Sequence, residues 1–148
     1  MKYSKASLGR VFVVRLEDGD IVHECLERLA REQAIRAAGL IVLGDADAGS
    51  RLVAGTEAGR AEPLEFVERV LDEAHEVAGV GTIFPDEAGN PIAHVHLACG
   101  RKDSLVVGCI RPGVKVWHVM EVLVVELVDC TAVRRFEAGL PGFRLLNP

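Results

Sequence analysis

Two histidines one residue apart, His94 and His96, are the residues of this sequence that could most clearly do chemistry. They lie in the apolar run at residues 91–97, Pro-Ile-Ala-His-Val-His-Leu, which is typical of a β-strand. Alternate residues of a strand point to the same face, so both imidazoles would project from one rigid segment. A pair arranged in this way can supply two nitrogen ligands to a metal ion.

A third candidate ligand, Cys109, follows after the length of one hairpin. A turn centred on Lys102 and Asp103 would place Cys109 opposite His96, with the thiol and both imidazoles on one face. A three-residue loop would instead turn Cys109 to the other face, beside Val95. The metal hypothesis therefore depends on a register difference of one residue.

Two imidazole nitrogens and one thiolate suit zinc or another divalent transition metal. Three protein ligands leave a position for water or for a ligand from a neighbouring subunit. The alternative is that the two histidines form an ordinary polar strand face and that Cys109 is a small core residue. Glu121 interrupts a later apolar strand and could hold an imidazole by a hydrogen bond, or it could be an edge or interface carboxylate. His118 has the opposite strand parity and is expected in packing or at an interface.

The remaining motifs assign no catalytic residue. His75 and Glu76 do not form a His-Glu-x-x-His helix, because position 79 is glycine. The loop at 44–49 has no GxGxxG or Walker pattern, and the serines lack a nucleophile-elbow context. Whether the protein is an enzyme stays open at this point.

The elements that would hold these residues form an α+β domain with a mostly antiparallel sheet of six to seven strands. Residues 21–38 show a helical apolar stripe with charged residues opposite, and Gly39 suits the end of this one main helix near the N-terminus. Residues 64–71 fit either a strand or a short helix. Strands are predicted at 8–16, 40–44, 50–54, 77–84, 91–99, 105–110 and 114–128.

The connections predict how these strands are joined. Short links at 101–103 and 111–113 indicate two consecutive antiparallel hairpins. Glycines within 77–84 indicate a bulge or a close backbone approach. A loop is expected at 55–63. The last long strand is apolar on both faces, which indicates an oligomer interface that a charge at Val124 should disrupt.

Length and composition are those of one globular domain over residues 1–148, with a core at about 8–130 and an irregular tail at 131–148. The net charge is −5, and basic residues are interleaved with acidic ones, which disfavours direct nucleic-acid binding. No signal peptide or transmembrane span is predicted. The four cysteines have no paired spacing, so reduced thiols in the cytoplasm are expected.

Four short blocks follow one another in this sequence, at residues 76–83, 94–97, 106–109 and 116–122. Their order and the gaps between them resemble the plants-and-prokaryotes-conserved (PPC) domain. This domain occurs alone in bacteria and archaea and is joined to AT-hook motifs in plant nuclear proteins. A strand-turn at 15–20 and Gly44 also fit, so that the resemblance covers about residues 8–130.

The resemblance implies a compact α+β fold assembled as a homotrimer, with a site on the His-x-His strand where several prokaryotic relatives bind a metal. His94 and His96 match the paired histidines. Cys109 stands where relatives often have a histidine, and a thiolate can replace an imidazole at zinc. Glu121 matches an acidic position of the last long strand.

Three hypotheses of function follow. The first is a homotrimeric regulatory or interaction module with a metal or small-ligand site. The second is a metal-dependent enzyme that acts on a small polar substrate through a metal-bound water. The third is direct DNA binding, which the acidic charge opposes. Plant relatives contact DNA through AT-hooks in the minor groove, and Arg111-Pro112-Gly113 lacks the flanking basic residues of such a motif.

Overall fold

The computed structural model describes residues 1–59, 64–137 and 143–148. Parts of the predicted loop at 55–63 and of the predicted tail, residues 60–63 and 138–142, lie outside the described residues. The elements are β1 (Ser7–Glu17), α1 (Val22–Glu32), β2 (Ala38–Ala46), β3 (Arg51–Thr56), β4 (Phe66–Val70), β5 (His75–Pro85), β6 (Pro91–Arg101), β7 (Ser104–Cys109), β8 (Val116–Val128), β9 (Val133–Phe136) and β10 (Arg144–Asn147).

One antiparallel sheet dominates the fold, with the strand order β1-β8-β2-β5-β6-β7-β3-β4. The predicted α+β class, with a mostly antiparallel sheet and one helix, is confirmed. The sheet has eight strands rather than six or seven, because the ambiguous segment at 64–71 forms β4 along the edge of β3. The strand β6, which carries the two histidines, lies between β5 and β7.

The helix α1 is shorter than its apolar pattern predicts. It buries Val22, Cys25, Leu26 and Ala30 against the sheet and ends at Glu32. Ala34 has a φ of 52°, a left-handed conformation that an α-helix cannot continue through. The prediction of Gly39 as the helix stop is therefore wrong, since Gly39 lies within β2. Among the residues described, no helix combines the length and apolar character needed to cross a membrane.

Only the first of the two predicted hairpins exists. β6 and β7 are joined by a turn at residues 102–103, as expected. β7 and β8 are not paired, because β8 crosses to the other half of the sheet and lies between β1 and β2. The link before β8 instead bonds to the chain around the start of α1: Val22 donates its N–H to the carbonyl of Val114, at 3.0 Å.

The described part of the C-terminal tail contains two strands, so the prediction of an irregular tail is wrong there. β9 and β10 pair as a small antiparallel sheet. Ala132 and the half-buried Cys130 pack on Phe84, Ala37 and Leu127, forming a second apolar cluster at one end of the main sheet. The tail therefore covers part of the sheet face opposite to α1.

The two faces of the sheet have different surroundings. The inner face packs against α1 and includes Val95, Leu97, Val122 and Val124, each at most 1% exposed. The prediction that a charge at Val124 would disrupt an interface is wrong, because this side chain belongs to the core of its own chain. The opposite face, which we call the outer face, carries His94 and His96 and is open over most of its area.

Candidate metal centre

The hairpin register brings the three candidate ligands to one face. His96 is paired directly with Cys109 across β6 and β7, which confirms the two-residue turn and excludes the alternative register. Lys102, at the turn, has a φ of 51°, as tight two-residue hairpin turns require. His94 lies one step further along the same face, opposite Thr82 of β5.

The ligand atoms of His94, His96 and Cys109 all lie within 4.8 Å of one another. The two Nε2 atoms are 3.0 Å apart, and the ring centroids are 5.0 Å apart with the planes at 61°. Two nitrogens bound to one tetrahedral zinc, each at ~2.0 Å, are separated by about 3.3 Å. The donor types and their convergence therefore fit a zinc ion or a similar transition metal.

Glycines on β5 let the histidine strand approach closely. A Cβ built on Gly81 would lie 2.8 Å from the carbonyl oxygen of His94, and one on Gly79 would collide with the carbonyl oxygen of His96 and with Leu97. The β5–β6 register is continuous across these positions, so the glycines serve a close approach rather than a bulge. Gly79 and Gly81 therefore permit the close packing of β5 against β6 at the positions of the two histidines.

The electrostatic surroundings keep His94 neutral. Desolvation, followed by the positive charges of Arg134, His96 and Arg111, lowers the pKa of His94 from 6.5 to about 4. A metal ligand must be the unprotonated imidazole, so this environment keeps His94 ready to bind at neutral pH. Cys99, on the inner face of the same strand, differs: burial raises the pKa of its thiol to about 11, as expected for a core cysteine.

Arg134 is a residue of this site that the sequence did not predict. It lies on β9, is only 5% exposed, and donates from Nη2 to the Thr82 hydroxyl at 2.9 Å, next to His94. Its guanidinium carbon lies 5.9 Å from the centre of the Phe84 ring. The sequence holds no signal for it, since Arg134 and the exposed Arg135 are adjacent in a segment without a clear pattern.

Glu121 does not contact the histidines within this chain. It shares the outer face but belongs to β8, and β2 and β5 lie between β8 and β6. Three strand spacings amount to about 14 Å, beyond the reach of a carboxylate hydrogen bond. His118 is also remote from the centre. Its ring centroid lies 4.2 Å from that of Trp117, and its backbone N–H donates to the Asp18 carboxylate.

The candidate metal centre lies on a row of cross-strand neighbours that crosses the outer face. Cross-strand pairs connect β1 to β7 through β8, β2, β5 and β6. Val13, on the edge strand β1, is 88% exposed, and Val80, on the central strand β5, is 65% exposed. These are high values for valines on the face of a sheet. The row consists of Val13, Leu123, Ile41, Val80, His96 and Cys109.

Comparison with known proteins agrees with the fold. Residues 3–128 match the family model described as the Plants and Prokaryotes Conserved (PCC) domain, the family otherwise abbreviated PPC. A crystal structure of a PPC protein from Pyrococcus horikoshii superposes with a TM-score of 0.84 at 19% identity, covering 100% of this chain and 98% of that one. Among curated proteins, no significant match was found.

Two further solved structures have the same fold. A metal-containing protein from Archaeoglobus fulgidus has a TM-score of 0.84 and 23% identity, with 98% of each chain covered. A protein from Ralstonia eutropha, named as a candidate DNA-binding protein, has a TM-score of 0.72 and 22% identity, with 92% of this chain and 90% of that chain covered. At these identities the likeness shows the fold alone.

Proposed function

The chain belongs to the plants-and-prokaryotes-conserved (PPC) domain family, and we propose that it is a homotrimeric regulatory or interaction module with a metal centre. The ligands are His94, His96 and Cys109, and the ion is zinc or another divalent transition metal. The observation that carries this proposal is the convergence of the three ligand atoms within 4.8 Å. One structural neighbour is described as metal-containing, which supports it further.

The trimer part of the proposal rests on the outer face. Exposed apolar patches of this extent mark binding surfaces, because their burial against a partner removes apolar area from water. A second copy of the chain is the occupant we propose, in agreement with the trimer that the family resemblance implies. The exposed apolar side chains of this face are Val11, Val13, Ile41, Leu43, Val80, Val107 and Leu123.

The metal centre is continuous with the row of cross-strand neighbours, since His96 and Cys109 belong to it. We infer that subunit contact and metal binding are neighbours on one surface. A bound metal would link β6 to β7 and stabilise the hairpin beside the interface. The cytoplasm remains the compartment we propose, because all four cysteines are free thiols in the structure.

Metal analysis of the purified protein tests the centre. We expect one metal ion per chain in the wild type, and almost none in His94→Ala or Cys109→Ala. Cys130→Ala is the matched control, because Cys130 is a half-buried cysteine of the tail, outside the centre. Wild-type protein that contains no metal after purification without chelators and does not take up added zinc would overturn the proposal.

The alternative, a metal-dependent enzyme for a small polar substrate, has weaker support. The ligand set leaves a coordination position free, which favours it. However, the described residues offer no carboxylate hydrogen-bonded to His94 or Arg134, and Glu121 is three strands away. A general base at the reacting position is therefore missing from the described part of this chain.

A further inference from the structure

Arg134 is a buried cation without a counter-charge among the described residues. Its side chain is almost fully enclosed, yet within the described part of the chain its one hydrogen bond is to the neutral hydroxyl of Thr82. The Nε atom is buried and has no hydrogen-bond partner there. A buried charge of this kind is costly unless an anion or several acceptors compensate it.

The other arginines that form ion pairs show how this chain usually compensates such charges. Arg10 forms an ion pair with Glu126, Arg51 with Glu68, and Arg144 with Asp86. All of these arginines are at least 37% exposed, so their pairing is less necessary than that of Arg134. Arg134 is more buried than any of these arginines, yet the described residues provide no anion for it.

The position of Arg134 connects this need to the metal centre. The Thr82 hydroxyl accepts a hydrogen bond from Nη2 of Arg134, and Thr82 is the direct cross-strand neighbour of His94. The positive charges of Arg134 and the exposed Arg111 both lower the pKa of His94. Cys109 partly offsets the lowering of the Arg134 pKa, so these groups lie close enough to interact. Two guanidinium groups therefore border the three ligands, and together they make this corner of an acidic protein locally positive.

From this arrangement we propose that Arg134, beside the His94–His96–Cys109 centre, binds a small carboxylate. The unpaired Nε and the neighbouring Nη hydrogens form a planar fork that matches the two oxygens of a carboxylate. Arg111 is exposed to solvent, so Arg134 is the one enclosed guanidinium among the described residues of this site. A single enclosed positive charge fits a carboxylate better than a phosphate dianion.

This inference rests on the proposed metal centre, because the carboxylate would bind next to the bound ion. Cobalt(II) can replace zinc in such sites and has a visible absorption spectrum that responds to its ligands. The experiment loads the full-length protein with cobalt and titrates it with acetate at constant ionic strength, following the spectrum. Phosphate is titrated in a parallel series.

We expect acetate to change the cobalt spectrum saturably in the wild type. In Arg134→Lys, acetate should bind roughly tenfold more weakly, because the planar fork is lost while the charge remains. Cobalt uptake should be equal in both proteins. Arg135→Lys is the matched control, since Arg135 is the exposed neighbour on the same strand, and it should bind acetate like the wild type.

The outcomes separate the two proposals. No cobalt uptake by the wild type overturns the metal centre itself. Normal cobalt uptake without an acetate response, or an equal response in Arg134→Lys, overturns the carboxylate site. Phosphate binding tighter than acetate overturns the assignment to a carboxylate. If Arg134→Lys does not fold, Thr82→Val decides, because it removes only the hydroxyl that orients the guanidinium; unchanged acetate affinity in that variant overturns the site.

Discussion

The Nε2 atoms of His94 and His96 lie 3.0 Å apart on the outer face of the sheet. Residues two apart on a flat strand have side chains almost 7 Å apart at their origin, so the rings lean towards each other. Such convergence places both nitrogens around one point rather than presenting two separate polar groups. Cys109 supplies the third donor around that point.

Cysteine at position 109 should be replaceable by the other ligand type that the family resemblance indicates. We expect Cys109→His to retain bound zinc and Cys109→Ala to lose it, because an imidazole can take the place of a thiolate at zinc. Metal content per chain after gel filtration provides the measurement. Equal metal content in Cys109→Ala and the wild type would show that the thiol is not a ligand.

Adding a methyl group at Gly79 should displace the histidine strand. The new Cβ would collide with the backbone of β6 at His96, so we expect Gly79→Ala to lower the free energy of unfolding and to weaken metal binding. Gly100→Ala is the control, because Gly100 lies on β6 itself and a Cβ there meets nothing within 4 Å. Denaturant unfolding and metal titration of both variants provide the test. Equal stabilities would contradict the close approach.

The low pKa of His94 predicts acid sensitivity in the metal-free protein. The folded state releases this proton at about pH 4 and the unfolded state at 6.5, so between these values the unfolded state binds more protons. Stability should therefore fall as the pH falls from 6.5 to 4, with no contribution from His94 above that range. One proton accounts for at most about 1.4 kcal/mol per pH unit.

His94→Gln should flatten that part of the pH profile. Chemical denaturation in the presence of a chelator, at several pH values and one protein concentration, provides the measurement. The slopes of wild type and variant should agree above pH 6.5 and differ below it. Identical slopes between 4 and 6.5 would mean that His94 titrates normally.

A charge on the outer face should dissociate the proposed trimer. We expect Val13→Asp to reduce the mass in solution from three chains to one, because burying an unpaired carboxylate at an interface costs several kcal/mol. Val13 is four strands away from His96, so the variant leaves the ligands in place. Tyr3→Asp, in the exposed segment before β1, should leave the mass unchanged. Analytical ultracentrifugation measures the mass of each protein in solution. A wild-type protein with the mass of a single chain would refute the trimer.

Direct DNA binding should be absent or weak. The net charge of −5 repels phosphates, and the chain has no AT-hook-like arm. We expect no change in the fluorescence anisotropy of a labelled A·T-rich duplex at low salt and micromolar protein. Salt-sensitive binding under those conditions would support the hypothesis of direct DNA binding.

The sequence by itself determined the family, the fold class and the pair of histidines. Strand periodicity places His94 and His96 on one face whatever surrounds them, and the short turn at Lys102 and Asp103 allowed only two registers for Cys109. These are local relationships, because they depend on the period of a strand and the length of one loop. Local rules also explain the error at the end of the helix. Glycine commonly follows the last turn of a helix, so Gly39 is the predicted stop, although α1 ends at Glu32.

Only the tertiary structure decided the relationships between distant segments. Sequence parity put Glu121 on a strand face but could not show that β2 and β5 separate it from the histidines. Equally, nothing in the chain between 131 and 137 indicated that Arg134 returns to Thr82 beside the centre. Strand order and the docking of the tail arise from packing of the whole sheet, so short-range patterns do not encode them.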